Sequence, residues 1–182
     1  LNTRAIIAAT GVFVFAGVTA VAGAEEVVFD DPGIFAPTNN SRVDVYWVDS
    51  IAGYTGELRW EDTALNAPPT ALWTNKSAVA GDQYTLGRLL SQGERVDFTY
   101  AVTVGQIDTF SMGNPGDWSQ FMVDASNPFD VLVGVEDIRY PRGDMDHNDA
   151  VFRVVFSEVA VPAPASFALL GGGCLIVLRR RR

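Results

Sequence analysis

Between Val27 and Val159 apolar positions recur at strand spacing rather than helix spacing. The run Val96-Asp-Phe-Thr-Tyr-Ala-Val-Thr-Val104 alternates, with Val96, Phe98, Tyr100, Val102 and Val104 on one face. A period of two is the mark of a strand buried on one side. Val43–Val48 and Trp118–Val123 also read as strands, Glu57–Trp60 as a short one, and Ala71–Trp73 as the start of an extended piece. Asp130–Glu136 is nearly all apolar, as expected of a strand covered on both faces. Ala150–Val159 reads as the last strand, and Gln83–Leu90 fits either a strand or one helical turn. Turns are supplied by Asn66–Pro69, Ser91–Glu94, Gly113–Gly116 and Asn127-Pro128. No segment sustains a 3.6-residue period, and no internal repeat is present. The expected fold is all-β, a single antiparallel β-sandwich or jelly-roll-like domain over residues 25–160.

The ends break this pattern. Arg4, the apolar run Ala5–Val21 and Ala22-Gly23-Ala24 have the charged, apolar and small-residue parts of an export signal, placing a signal peptide at 1–24. At the other end Val161-Pro-Ala-Pro164 is a stiff spacer. Ser166–Leu178 is apolar, and Arg179, Arg180, Arg181 and Arg182 close the chain. A membrane segment over 165–178 is shorter than the ~20 residues that span a bilayer comfortably. The arginines would hold its end in the cytoplasm and leave the body outside. The sandwich is thus expected between an N-terminal signal helix and a C-terminal membrane helix.

Charge narrows the partners. All 22 acidic residues lie between Glu25 and Glu158 with only eight of the 13 basic ones, a net −14 for the body. Such a body repels phosphate backbones, so nucleic acid is not an expected partner, whereas cations are. The lone cysteine, Cys174, lies in the C-terminal apolar run, so the body holds no disulfide. An exported domain without disulfides must draw stability from its core or from bound metal, and millimolar extracellular calcium fills even a weak site.

The segment Gly143-Asp-Met-Asp-His-Asn-Asp149 is where a cation would bind. In an extended chain Asp144, Asp146 and Asn148 share one side, and Asp149 faces the other unless the chain turns there. Their oxygens suit calcium, which takes six to eight such ligands. The order Asp-x-Asp-x-Asn copies the first half of an EF-hand loop, but Asp149 stands at the turn glycine and no closing glutamate follows, so this is not an EF-hand. The plain alternative is an Asx-rich turn. If the strands ending near Asp137 and starting near Ala150 pair, Glu136 and Asp137 can join the cluster. Without a cation these carboxylates would repel and some pKa values would rise. His147, the only histidine, reads as an exposed loop residue, and with no His or Cys partner in the body a zinc site or a nucleophilic triad is not expected.

Two resemblances add to these readings. Pro162-Ala163-Pro164, the apolar 166–178 run and the terminal arginines resemble the PEP-CTERM sorting signal of Gram-negative bacteria, with Ala163 where that family usually has Glu. The resemblance implies exosortase as processing partner and delivery to the cell surface or extracellular matrix. Glu136-Asp137-Ile138 followed by Gly143-Asp-Met-Asp-His-Asn-Asp-Ala-Val-Phe152 resembles the domain of unknown function 4114, across roughly residues 117–156. That family carries Glu-Asp-Leu, a glycine-rich spacer and Asp-x-Asp-Tyr-Asn-Asp. Here His147 replaces the tyrosine and Tyr140-Pro-Arg replaces some glycines, and neither change removes an oxygen ligand. The resemblance implies a secreted β-rich module that binds calcium through Glu136, Asp137, Asp144, Asp146, Asn148 and Asp149.

Two functions follow as expectations. The first is a calcium-stabilised structural or adhesive module of the cell surface or matrix, sorted by exosortase and anchored, at least transiently, by its C-terminal segment. The second is a carbohydrate-binding module or hydrolase acting on exopolysaccharide. Trp47, Trp60, Trp73 and Trp118 could stack on sugars, yet each lies in a strand-like run where core packing is the commoner fate, so no enzyme is expected.

Overall fold

The computed structural model describes residues 29–65 and 67–160. The signal peptide, the membrane segment and the sorting residues Pro162, Pro164 and Arg179–Arg182 lie outside the described residues. Among the described residues no helix is long and apolar enough to cross a membrane.

The described residues form ten strands, in order β1 (Ile34–Phe35), β2 (Ser41–Asp49), β3 (Thr55–Glu61), β4 (Thr70–Thr74), β5 (Gln83–Thr85), β6 (Arg95–Val104), β7 (Asp108–Ser111), β8 (Phe121–Asp124), β9 (Asp130–Val135) and β10 (Ala150–Glu158). They form two five-stranded antiparallel sheets. One runs β1-β6-β3-β4, with β7 also on β6; the other runs β5-β2-β10-β9-β8. The sheets pack face to face through inward residues such as Val43, Val45 and Trp47 of β2, Phe98 and Tyr100 of β6, and Phe152 and Val154 of β10. Phe98 meets Phe152 edge to face at 4.9 Å between ring centroids, and Trp47 meets Trp73 likewise at 6.2 Å. Edge-to-face contacts of this kind add about 1 kcal/mol each beyond burial.

Several local expectations change. β6 is buried on both faces from Val96 to Val102, and it is central in its sheet, with β3 on one edge and β1 and β7 on the other. Its outward Asp97 is bonded by Arg95, while Val104, expected in the core, is exposed at the strand end. In β9 Leu132 is exposed, so the cover is one-sided there. Gln83–Leu90 resolves as the short β5, a bend, and a bridge from Leu90 to Ser41. Trp118–Gln120 is not strand: Pro115–Gln120 is a 3-10 helix capped by Asn114, whose side chain accepts from the Gly116 N–H. Only Phe121 onward pairs as β8.

The arrangement that places the candidate site is the β9–β10 pair. Val135, the last residue of β9, is the partner of Ala150, the first of β10. Glu136 and Asp137 therefore leave the sheet beside the point where Asp149 enters it.

Candidate metal centre

The segment 138–149 is not extended. Met145 and His147 take left-handed backbone conformations (φ 61° and 52°), so the chain coils between the acidic residues rather than alternating them. Such conformations cost about 1 kcal/mol or more per residue and persist only where the surroundings hold them. Here Met145 N–H donates to Glu136 Oε2 at 3.0 Å, and the His147 ring nitrogens lie 3.1 and 3.0 Å from the carbonyl oxygens of Met145 and Ser119. His147 is thus half-buried and braces the loop against the 3-10 helix, contrary to an exposed role. Gly143 is required by close approach: a Cβ there would stand 2.5 Å from Glu136 Oε1 and 2.7 Å from the Ile138 carbonyl.

Coiling brings the acids together. Carboxylate oxygens of Glu136, Asp144 and Asp146 lie within 4.8 Å of one another, as do those of Glu136, Asp137 and Asp149. Asp149 is turned inward, and its Oδ2 accepts from the Asp137 N–H at 2.7 Å. Asp137 Oδ2 accepts from the Tyr54 N–H at 3.3 Å, tying the cluster to the loop before β3 in the opposite sheet. Asn148 donates from its side-chain amide to Asp146, and its main-chain carbonyl accepts from Ile51 N–H at 2.9 Å. Its side-chain oxygen is the group it would offer a cation. All six predicted ligands line one cavity of about 490 Å³.

Glu136, Asp137 and Asp149 are 1 %, 3 % and 7 % exposed. Four other buried aspartates each have an arginine: Asp44 has Arg42, Asp62 has Arg88, Asp97 has Arg95 and Asp117 has Arg139. No basic side chain pairs within 4 Å with the three at the β9–β10 end among the described residues. Two ionised carboxylates at this spacing repel by about 3 kcal/mol at an effective dielectric near 20. Burial, and then the charges of Asp149 and Asp144, push the Glu136 carboxyl up to about 7. Burial, followed by Asp137, Asp146 and Asp144, pushes Asp149 up to about 7, and burial also raises Asp137.

Some contributors carry no sequence signal. Tyr100 sits in the alternating face of β6 and reads as core, yet its buried hydroxyl has no hydrogen-bond partner. Burial raises its pKa, and the charges of Asp137 and Asp149 raise it further. Gln120, fully buried, donates to the carbonyls of Glu136 and Ile138 at 3.2 and 2.8 Å and accepts from Tyr140 N–H, holding the strand exit in place. Only the residue types Asn-Pro ahead of it hint at the helix that carries it.

The tryptophans are elsewhere. Trp47 and Trp60 are buried, Trp73 packs on Trp47, the Trp118 indole donates to the Met112 carbonyl, and none lines the cavity.

No family model matches the chain, and no curated protein matches it. Among solved structures it is similar to the Ralstonia solanacearum high-affinity mannose-binding lectin, at 13 % identity and a TM-score of 0.41, over 72 % of this chain and 99 % of that one. At that distance nothing about a ligand passes from the lectin to this chain.

Proposed function

We propose that this chain is an exported module of the cell surface or extracellular matrix whose sandwich is stabilised by calcium at the β9–β10 end. The observation that carries this is the set of three buried carboxylates with no basic side chain within 4 Å among the described residues, in a domain that gives an arginine to each of four other buried aspartates. A buried charge without compensation is costly, and a cation supplies the compensation. The donor set is all oxygen, which suits a hard cation, and its irregular arrangement suits calcium better than the strict octahedron of magnesium. A bound ion would join the loop at 138–149, the 3-10 helix and, through Tyr54, the other sheet. The role is therefore structural, consistent with an acidic exported domain lacking disulfides. The sorting-signal resemblance of the tail supports exosortase as the processing partner and the membrane as its transient anchor.

Calcium at a hundredfold excess over its Kd should stabilise the fold by about 2.7 kcal/mol, which raises Tm by roughly 8 °C for a domain of this size. Differential scanning calorimetry with calcium and with EGTA checks this. Equal melting temperatures at saturating calcium would remove the structural role.

The cavity also favours a second reading. It is far larger than an ion and falls within the range of small-molecule sites, about 300–1,000 Å³. A carbohydrate-binding module would hold sugar hydroxyls on the exposed side of the cation, without a tryptophan platform. Calcium-dependent retention on immobilised exopolysaccharide is the expected result, and retention unaffected by EGTA would reject this reading.

A further inference from the structure

We propose that the centre holds two cations at unequal positions that share Glu136, an inner one between Glu136, Asp137 and Asp149 and an outer one between Glu136, Asp144 and Asp146. This rests on the calcium reading above and specifies it.

The geometry gives two separate groups, each with three carboxylate oxygens within 4.8 Å of one another, and Glu136 is the only member of both. A glutamate has two oxygens and can bridge two ions. The groups differ in surroundings. Asp137 and Asp149 are buried, whereas Asp144 and Asp146 are exposed at the cavity mouth. The inner group has an independent pointer to a ligand: the Tyr100 hydroxyl, fully buried and without a partner, packs against Gly56, two residues beyond Tyr54, whose N–H bonds Asp137 Oδ2. Such an orphaned hydroxyl needs an explanation, and an ion or its bound water would satisfy it.

Charge permits a second ion. Five carboxylates bring −5. Lys76, which donates to the Ala52 carbonyl and lies near enough to Asp137 to act on it, and Arg142, in the cavity wall, bring +2. One divalent ion then leaves −1 and two leave +1. The inner ion would be closed in by protein. The outer ion would keep coordination positions facing the cavity, where waters or ligand oxygens bind.

Native mass spectrometry of the full chain titrated with calcium tests this, with circular dichroism to verify folding. Two bound ions are expected in the parent, one in the Asp144→Asn/Asp146→Asn variant and one in Asp137→Asn. EGTA should release calcium from the parent in two phases, with only the slow one left in the Asp144→Asn/Asp146→Asn variant. One ion in the parent overturns the two-position proposal but leaves the calcium reading intact. No bound ion overturns both. Two ions retained in the double variant would overturn the partition between inner and outer groups. The two release phases of the parent need no variant, so a variant that fails to fold leaves the proposal testable: a single release phase in the parent rejects the inequality of the positions.

Discussion

Without calcium the domain should lose stability as pH rises from about 5 to 8, and with calcium the loss should vanish or reverse. Glu136 and Asp149 are held up to about 7 in the folded chain, chiefly by burial, against ordinary values near 4 in the unfolded chain. Between those values the folded state binds more protons than the unfolded state, so unfolding free energy falls with pH. Below about 4 both states are protonated and the penalty is absent; above about 7 it is fully present. Alone, Glu136 would cost about 3 kcal/mol when ionised and Asp149 about 4, and the two together less than the sum because they interact. Asp137, also raised by burial, acts in the same direction. Calcium binds the ionised carboxylates, so its stabilisation grows with pH over the same window. Urea unfolding at pH 5, 6, 7 and 8, with calcium and with EGTA, should give two curves that diverge by several kcal/mol towards pH 8. Parallel curves would mean that the ion does not meet these carboxylates.

The part of this centre that was legible in sequence is its list of acids, and the part that was not is their arrangement. The spacing Asp144-x-Asp146-x-Asn148 announces converging oxygens, but an extended chain would have put Asp149 on the far side. Left-handed turns at Met145 and His147 accompany its inward turn; methionine gives no sign of such a turn, and histidine only a mild preference for it. The strand pairing that carries Glu136 and Asp137 to the cluster was readable, since two apolar runs flanking one loop fit adjacent antiparallel strands. The Tyr100 hydroxyl was not, because an aromatic at a core position of an alternating strand looks the same whether or not its oxygen is satisfied. For the fold, long runs such as β6 and β10 stand out by period alone. The two-residue β1 is too short to show a period, and the end of the Pro115–Gln120 helix runs without a break into β8. The acid–arginine pairs were also hidden, since only the fold tells which acids are buried, and the contrast between them and Glu136 rests on that knowledge.

Replacing Glu136 by glutamine should raise stability in EGTA and abolish the response to calcium, so that parent and variant exchange order when calcium is added. Glutamine keeps the shape and an oxygen to accept from Met145 N–H, and Gly143 leaves the same room beside it. It removes the charge whose burial, beside Asp149 and Asp144, is unfavourable. The expected gain in EGTA at pH 8 is about 3 kcal/mol, fading by pH 5 as the parent's carboxyl takes up its proton. In calcium the variant lacks a ligand common to both carboxylate groups and should fall below the parent. Asp62→Asn is the control. Asp62 is also buried but accepts three bonds from Arg88, at 3.0 and 3.2 Å on Oδ1 and at 3.0 Å on Oδ2, so its loss leaves Glu94 as the guanidinium's remaining carboxylate partner among the described residues. That variant should be destabilised with or without calcium, by a few kcal/mol at most because Arg88 is partly exposed. Urea unfolding of the three proteins separates the cases. A Glu136→Gln variant less stable than the parent in EGTA at pH 8 would mean that the carboxylate already has its counter-charge within the protein, and no cation would then be needed to hold these two strands.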